Sequence, residues 1–244
     1  MGGRTWSILR CACLAAALTA CGGRGEDLSG EGFWVGSADG RQGAIVVTDS
    51  GELWGILALS FEASAPDLPS NGRTLHGRLD LRTGTGHLTY LSFDDLGALR
   101  MQSPASASLD SQGALSLVLP DATFFGSARE SYATPVPIAA FAGHYVGRVF
   151  EARAAQVSYP ARLTVTAEGL VSHVQDNCTT SGRLTPLEPA RQVVAVRLTS
   201  TGDCVETDVR TGIAVLDTTA RPIRLYVMTT RSDGVGGFGF IGTP

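Results

Sequence analysis

The strongest constraint on this chain is an internal echo. Gly32-Phe33-Trp34-Val35-Gly36 returns 111 residues later as Gly143-His144-Tyr145-Val146-Gly147. Gly77-Arg78-Leu79 returns as Gly182-Arg183-Leu184 after 105 residues, and Phe124-Phe125-Gly126 as Phe240-Ile241-Gly242 after 116. Offsets this similar describe one unit used twice, with loop insertions between the copies. The 244 residues therefore divide into two units, 32–130 and 141–244. Between them, 131–140 contains Pro135 and Pro137, which cannot sit in a central strand and suit a linker.

Inside each unit the apolar period is two. Leu75, Leu79 and Leu81 alternate with His76, Arg78 and Asp80; Leu115, Leu117 and Leu119 repeat the pattern, as do Leu163 and Val165 between Arg162, Thr164 and Thr166. That is the spacing of half-buried strands. Asp39-Gly40, Ser50-Gly51, Asn71-Gly72, Gln112-Gly113, Glu168-Gly169 and Asp233-Gly234 punctuate the runs, and such pairs accept the positive φ angles of tight hairpins. Past the first twenty residues no helical periodicity is sustained. The fold is expected to be all-β, two tandem antiparallel meanders. In the second unit strands begin near Gly143, Gln156, Leu170, Thr180, Gln192, Thr207, Ile223 and Val235. Eight hairpin-connected strands close most economically as a small barrel, which removes exposed edges. Two β-sandwiches or one larger curved sheet are the alternatives.

Charge excludes a nucleic-acid partner. All 19 basic residues are Arg and the net charge is −4, which is no phosphate-backbone footprint. No apolar run reaches the roughly 20 residues of a spanning helix. The start, however, has the layout of a secretory signal: Arg4 and Arg10, then a short apolar stretch ending in small residues. Leu18-Thr19-Ala20-Cys21 resembles the lipobox of bacterial lipoproteins. The resemblance implies cleavage of residues 1–20 between Ala20 and Cys21, diacylglyceryl attachment to the Cys21 thiol, and a membrane partner reached through that lipid. Two or three acyl chains hold far better than one. In proteobacterial lipoproteins Asp after the Cys favours the inner membrane; here Gly22 follows, so an outer-membrane location is expected, with the face undetermined. Residues 21–31, Gly-rich and polar, suit a flexible tether.

With Cys11 and Cys13 in the leader and Cys21 lipidated, Cys178 and Cys204 remain. In an exported compartment this even remainder is expected to form one disulfide. The Gly-x-Trp-x-Gly opening also resembles the start of lipocalin-like and avidin-like barrels, where the aromatic plugs one end. It is similar, too, to a set of proteobacterial lipoproteins with a glycine-aromatic-glycine opening and a Cys pair in this place.

Catalytic chemistry finds little to stand on. Gly234-Val-Gly236-Gly237-Phe-Gly239 spells a dinucleotide fingerprint, yet lacks the helix and the downstream acid that motif needs. His76, His87, His144 and His173 show no zinc spacing. Ser172 and His173, near Asp176, fall on opposite strand faces, and Asp94-Asp95 has the texture of a turn. No metal or cofactor is expected. Trp34, Trp54 and Tyr145 are the candidate ligand-binding residues, with core packing as their ordinary role. The expected function is a non-catalytic cell-envelope module that binds a small ligand or an envelope protein. A purely structural lipoprotein with filled cores is the alternative, and an unrecognised envelope hydrolase the third reading.

Overall fold

A computed structural model describes residues 31–59, 72–94, 97–151, 157–187, 191–204, 208–232 and 237–244. The leader, Ala20, Cys21 and the tether up to residue 30 lie outside the described residues. The first unit runs β1 (Gly32–Ala38), β2 (Arg41–Val47), β3 (Glu52–Ala58), β4 (Gly72–Asp80), β5 (Thr85–Asp94), β6 (Gly97–Leu109), β7 (Leu115–Val118) and β8 (Thr123–Ala128). The second runs β9 (Gly143–Glu151), β10 (Val157–Val165), β11 (Leu170–Gln175), β12 (Cys178–Pro186), β13 (Val193–Gly202), β14 (Val209–Asp217), β15 (Arg224–Arg231) and β16 (Gly237–Thr243). Each set of eight pairs antiparallel in sequence order and closes first strand to last, giving two closed eight-stranded barrels in tandem.

The three echoes fall on equivalent strands: the openings are β1 and β9, the Gly-Arg-Leu triplets lie in β4 and β12, and the endings are β8 and β16. Their glycines meet where each barrel closes. Gly36 lies opposite Gly126, and Gly147 opposite Gly242. A Cβ on Gly36 would stand 1.9 Å from the Phe125 carbonyl oxygen, and one on Gly147 1.9 Å from that of Ile241, so only hydrogen fits where first and last strands meet. Aromatic rings two residues away fill the interior space these glycines leave. Phe124 lies over Gly126, Phe240 over Gly242, Trp34 over Gly32 and Tyr145 over Gly143.

One turn is also duplicated. Gly51 donates to the Thr48 carbonyl and accepts from Leu79, and Gly169 does the same with Thr166 and Leu184. Both glycines have positive φ, +75° and +80°, as do Gly40 and Gly113. Asn71-Gly72 is not such a pair. Asn71 lies outside the described residues, and Gly72 opens β4 without positive φ, its empty face taken by the Phe150 ring. Asp233-Gly234 falls outside the described residues, whereas the β11–β12 turn uses Asp176, at φ +51°.

Alternation sends Leu53, Leu75, Leu88 and Leu117 into the first barrel and Leu163, Val196, Leu198 and Val227 into the second, all buried. A third apolar core lies between the barrels. Outward residues Phe33, Val46, Trp54 and Ile56 of the first meet Phe150, Ile213, Tyr226, Met228 and Ile241 of the second. Phe33 packs edge-on to Tyr226 at 6.2 Å. Small residues admit the approach, Gly72 under Phe150 and Gly239 under Ile56. Arg129 faces Asp217 at 3.4 Å and Arg191 faces Glu31 at 2.9 Å. The stretch 131–140, with the texture of a linker, holds two short 3-10 turns, Glu130–Ala133 and Ile138–Phe141, and its Tyr132 is buried in this shared core.

Cys178 and Cys204 form a disulfide across the start of β12 and the end of β13. On the chain-entropy account, closing this loop contributes about 3–4 kcal/mol.

Two outcomes follow for chemical denaturation monitored by circular dichroism. Gly147→Ala should lower stability by about 1–3 kcal/mol through crowding against the Ile241 carbonyl. Phe150→Ala, which empties the shared core without touching a barrel interior, should cost about 3–5 kcal/mol.

Candidate functional site

Both barrels are plugged at the end where their first strand begins. The Trp34 indole N–H donates to the Gly113 carbonyl at 2.9 Å, and the Tyr145 hydroxyl to the Phe141 carbonyl at 2.9 Å. Burial pushes the Tyr145 hydroxyl up. Trp34 and Tyr145 are thus interior residues, 3% and 2% exposed, and each sits among its own barrel's apolar side chains.

The opposite ends are polar. In the first barrel buried Arg73 reaches Asp121 at 2.6 Å and Asp39 at 4.0 Å. In the second, Glu151 and Arg210 pair at 2.7 Å with side chains 3% and 1% exposed. Tyr159 lies 3.4 Å from both Glu151 and His173. His173 Nδ1 is 2.9 Å from the Arg162 carbonyl; a carbonyl only accepts, so Nδ1 carries a proton, while the single Tyr159 hydroxyl proton goes to the Glu151 carboxylate. Thr180 and Ser200 complete this layer through a hydroxyl pair at 3.0 Å. These groups bond to one another inside the wall. Ser172 is exposed on the outside while His173 is buried within, so the two do not meet.

Open space lies instead between the barrels. A cleft of about 280 Å³ is lined by Glu52 and Trp54 of β3, Tyr132, and Leu187, Arg191 and Ile213 of the second unit. Trp54 is held by its neighbours. Its ring lies 4.0 Å, centroid to centroid, from that of His76, directly across from it on β4. His76 Nε2 donates to Glu52 at 2.9 Å. That hydrogen bond holds the Glu52 carboxyl below the ordinary range against the opposing effect of burial; the His76 charge, the Trp54 N–H and Arg78 add smaller contributions.

On the facing wall Arg191 donates to Glu31 at 2.9 Å, and the Tyr132 hydroxyl stands 3.4 Å from both Glu31 and the Val47 carbonyl. Burial, then the Glu31 carboxylate, push the Tyr132 hydroxyl well up, so it remains a donor in neutral and mildly alkaline solution. The cleft therefore combines an aromatic and aliphatic floor with fixed carboxylates, a guanidinium and a phenol. That mixture suits a small, partly apolar molecule with hydrogen-bonding groups, at the lower end of the roughly 300–1,000 Å³ of ligand sites.

Of the three candidate ligand residues, only Trp54 lines this space. Glu31, Tyr132 and Arg191 come from the tether, the inter-unit segment and a second-unit loop, up to 160 residues apart in sequence, and carry no local motif. Cys178 and Cys204 are joined away from it, Cys21 lies outside the described residues, Asp94 closes β5 opposite Gly97, and Asp95 and Gly234–Gly236 are outside the described residues. Among the described residues no group of three His, Cys, Asp or Glu could hold a metal. Compared with known proteins, the chain matches no family model, no curated protein and no solved structure.

In a carboxylate-resolved NMR titration His76→Ala should raise the Glu52 midpoint toward 4.5, the ordinary value for a glutamate. Because the folded midpoint is lowered, Glu52 stabilises the fold above the unfolded value and loses this as pH falls through the folded one; the variant should lack that part of the acid loss. In the second barrel, Arg210→Ala leaves Glu151 without its guanidinium. It should destabilise by about 3–5 kcal/mol in a denaturant titration.

Proposed function

We propose that this protein is a lipid-anchored envelope lipoprotein acting as a non-catalytic binding module, and that its ligand occupies the cleft between the two barrels. The cleft carries this reading, because an apolar floor and fixed polar groups converge in it within reach of solvent. Both barrel interiors are filled at the plugged end by aromatic rings and at the other by mutually bonded polar side chains.

Three features support the envelope setting. Leu18-Thr19-Ala20-Cys21 matches the lipobox pattern. The Cys178–Cys204 disulfide is the mark of an oxidising compartment. The barrels are apolar within and present Arg, Ser and Thr outside, as at Arg183, Ser172 and Thr185, the reverse of a membrane-spanning barrel. Lipid chains on Cys21 are then the attachment. Glu31 at the cleft follows Cys21 by ten residues, which reach at most about 35 Å when extended, so the cleft works close to the membrane surface. An outer-membrane address follows from Gly22. The filled interiors favour, as a second reading, a structural module whose contacts are made entirely through outer faces.

Labelled palmitate fed to the producing cells should enter the protein and be absent from Cys21→Ala, which should leave the membrane fraction. Equal membrane retention of both proteins would contradict the anchor. For the cleft, the Cys21→Ser chain exported by an ordinary signal should carry an extra noncovalent mass in native mass spectrometry. Trp54→Leu should lose that mass while keeping the wild-type circular dichroism spectrum. A bare mass in a chain purified gently from its native type of host would favour the structural reading.

A further inference from the structure

The outer wall of the second barrel carries a group of polar residues that the cleft does not use. In the closed sheet Arg183 of β12 lies directly opposite Arg197 of β13, and both are exposed. The outward row across the strands is Leu170, Arg183, Arg197 and Thr211, with no carboxylate in it. Like charges directly opposite on neighbouring strands repel and destabilise the pair. The duplicated unit shows what compensation looks like. The equivalent arginine in the first barrel, Arg78, lies between Glu52 and His87 and donates to the Ser50 carbonyl at 2.9 Å. In the second barrel the position of Glu52 is taken by Leu170 and that of His87 by Arg197, so an acid was exchanged for a leucine and a second cation added. The Glu168 carboxylate feels Arg183, but it is fully exposed in the β10–β11 turn and is held low first by Thr166 and its own backbone, with Arg183 contributing last.

The next outward row supplies hydroxyls in place of charge. Ser172, Ser181 and Thr199 stand side by side on β11, β12 and β13. Together with the two arginines they line a concave groove of about 600 Å³. Gly182 lies in its lining between the two rows: a Cβ there would stand 1.9 Å from the Arg197 carbonyl oxygen, so only glycine lets β12 and β13 approach this closely beside the pair. Two guanidinium forks beside a rung of hydroxyl donors match the oxygens of one phosphate group, which binds arginine bidentately and is neutralised by two cations.

We propose that this groove is a phosphate-binding site, taking either the phosphate of an anionic lipid headgroup or free phosphate, and that the opposed arginines serve it. The stability given up by the repulsion is recovered when the phosphate arrives.

The test uses the whole exported chain with Cys21→Ser, beside Arg183→Gln, Arg197→Gln and Arg197→Glu in the same background. Inorganic phosphate should raise the melting temperature above that in sodium chloride of equal ionic strength. Each Gln variant should weaken phosphate binding by about tenfold or more, the loss of one charge-assisted fork. Arg197→Glu places opposite charges across the strands, so it should melt about 1–3 °C higher than the parent in sodium chloride and ignore phosphate. Flotation with phosphatidylglycerol vesicles, against phosphatidylcholine alone, separates the sources. Capture that the Gln variants lose assigns the site to a headgroup, and a response to inorganic phosphate without capture assigns it to the free anion. The proposal is overturned if neither probe acts beyond sodium chloride and phosphatidylcholine, or if the Gln variants respond as the parent does. These readouts move independently of Trp54 and the cleft.

Discussion

The arrangement depends on the apolar contact between the two barrels. A small β-barrel ordinarily buries one face of each strand and leaves the other to water. Here β2, β3, β14 and β15 bury both, the inner face in their own barrel and the outer in the shared core of Phe33, Val46, Trp54, Ile56, Phe150, Ile213, Tyr226 and Met228. This contact fixes how Glu52 and Trp54 stand against Arg191 and Ile213, and hence whether there is a cleft. It also explains why Tyr132 and the segment around it are packed in place instead of swinging between two bodies.

A second constraint acts within each barrel. Closure brings the first and last strands together at a pair of glycines, Gly36 with Gly126 and Gly147 with Gly242, and an aromatic ring lies over the last-strand glycine of each pair, Phe124 over Gly126 and Phe240 over Gly242. The same solution in both halves accounts for why the opening and closing triplets persist in a chain whose loops and charges have diverged. What diverged is informative as well. The Gly-Arg-Leu triplet keeps its place in β4 and β12, yet the partners across from its arginine changed from Glu52 and His87 to Leu170 and Arg197.

Much of the fold is legible in the amino-acid sequence, because hairpins act through neighbours along the chain and closure leaves the same glycines in both units. Period-two runs at Leu115 to Leu117 and Leu163 to Val165 lie in strands, and Gly40, Gly51, Gly113 and Gly169 take the positive φ their turns need. Asn71-Gly72 misleads because a glycine can be selected for absence of a side chain alone, here to admit Phe150. The Asp176 turn escapes a search for glycine pairs because aspartate supplies the left-handed residue there. The cleft is not legible, since Glu31, Trp54, Tyr132 and Arg191 share no local spacing. One signal does point to the shared core: Ile213 to Leu216 and Leu225 to Met228 are continuously apolar, where a half-buried strand alternates.

The central claim is that the shared core makes the two barrels one cooperative body around the cleft. Differential scanning calorimetry of the whole exported chain tests it most directly. One transition, with equal calorimetric and van't Hoff enthalpies, is the expected result. Two separable transitions, or a calorimetric enthalpy about twice the van't Hoff value, would mean that the barrels melt independently and would contradict the account.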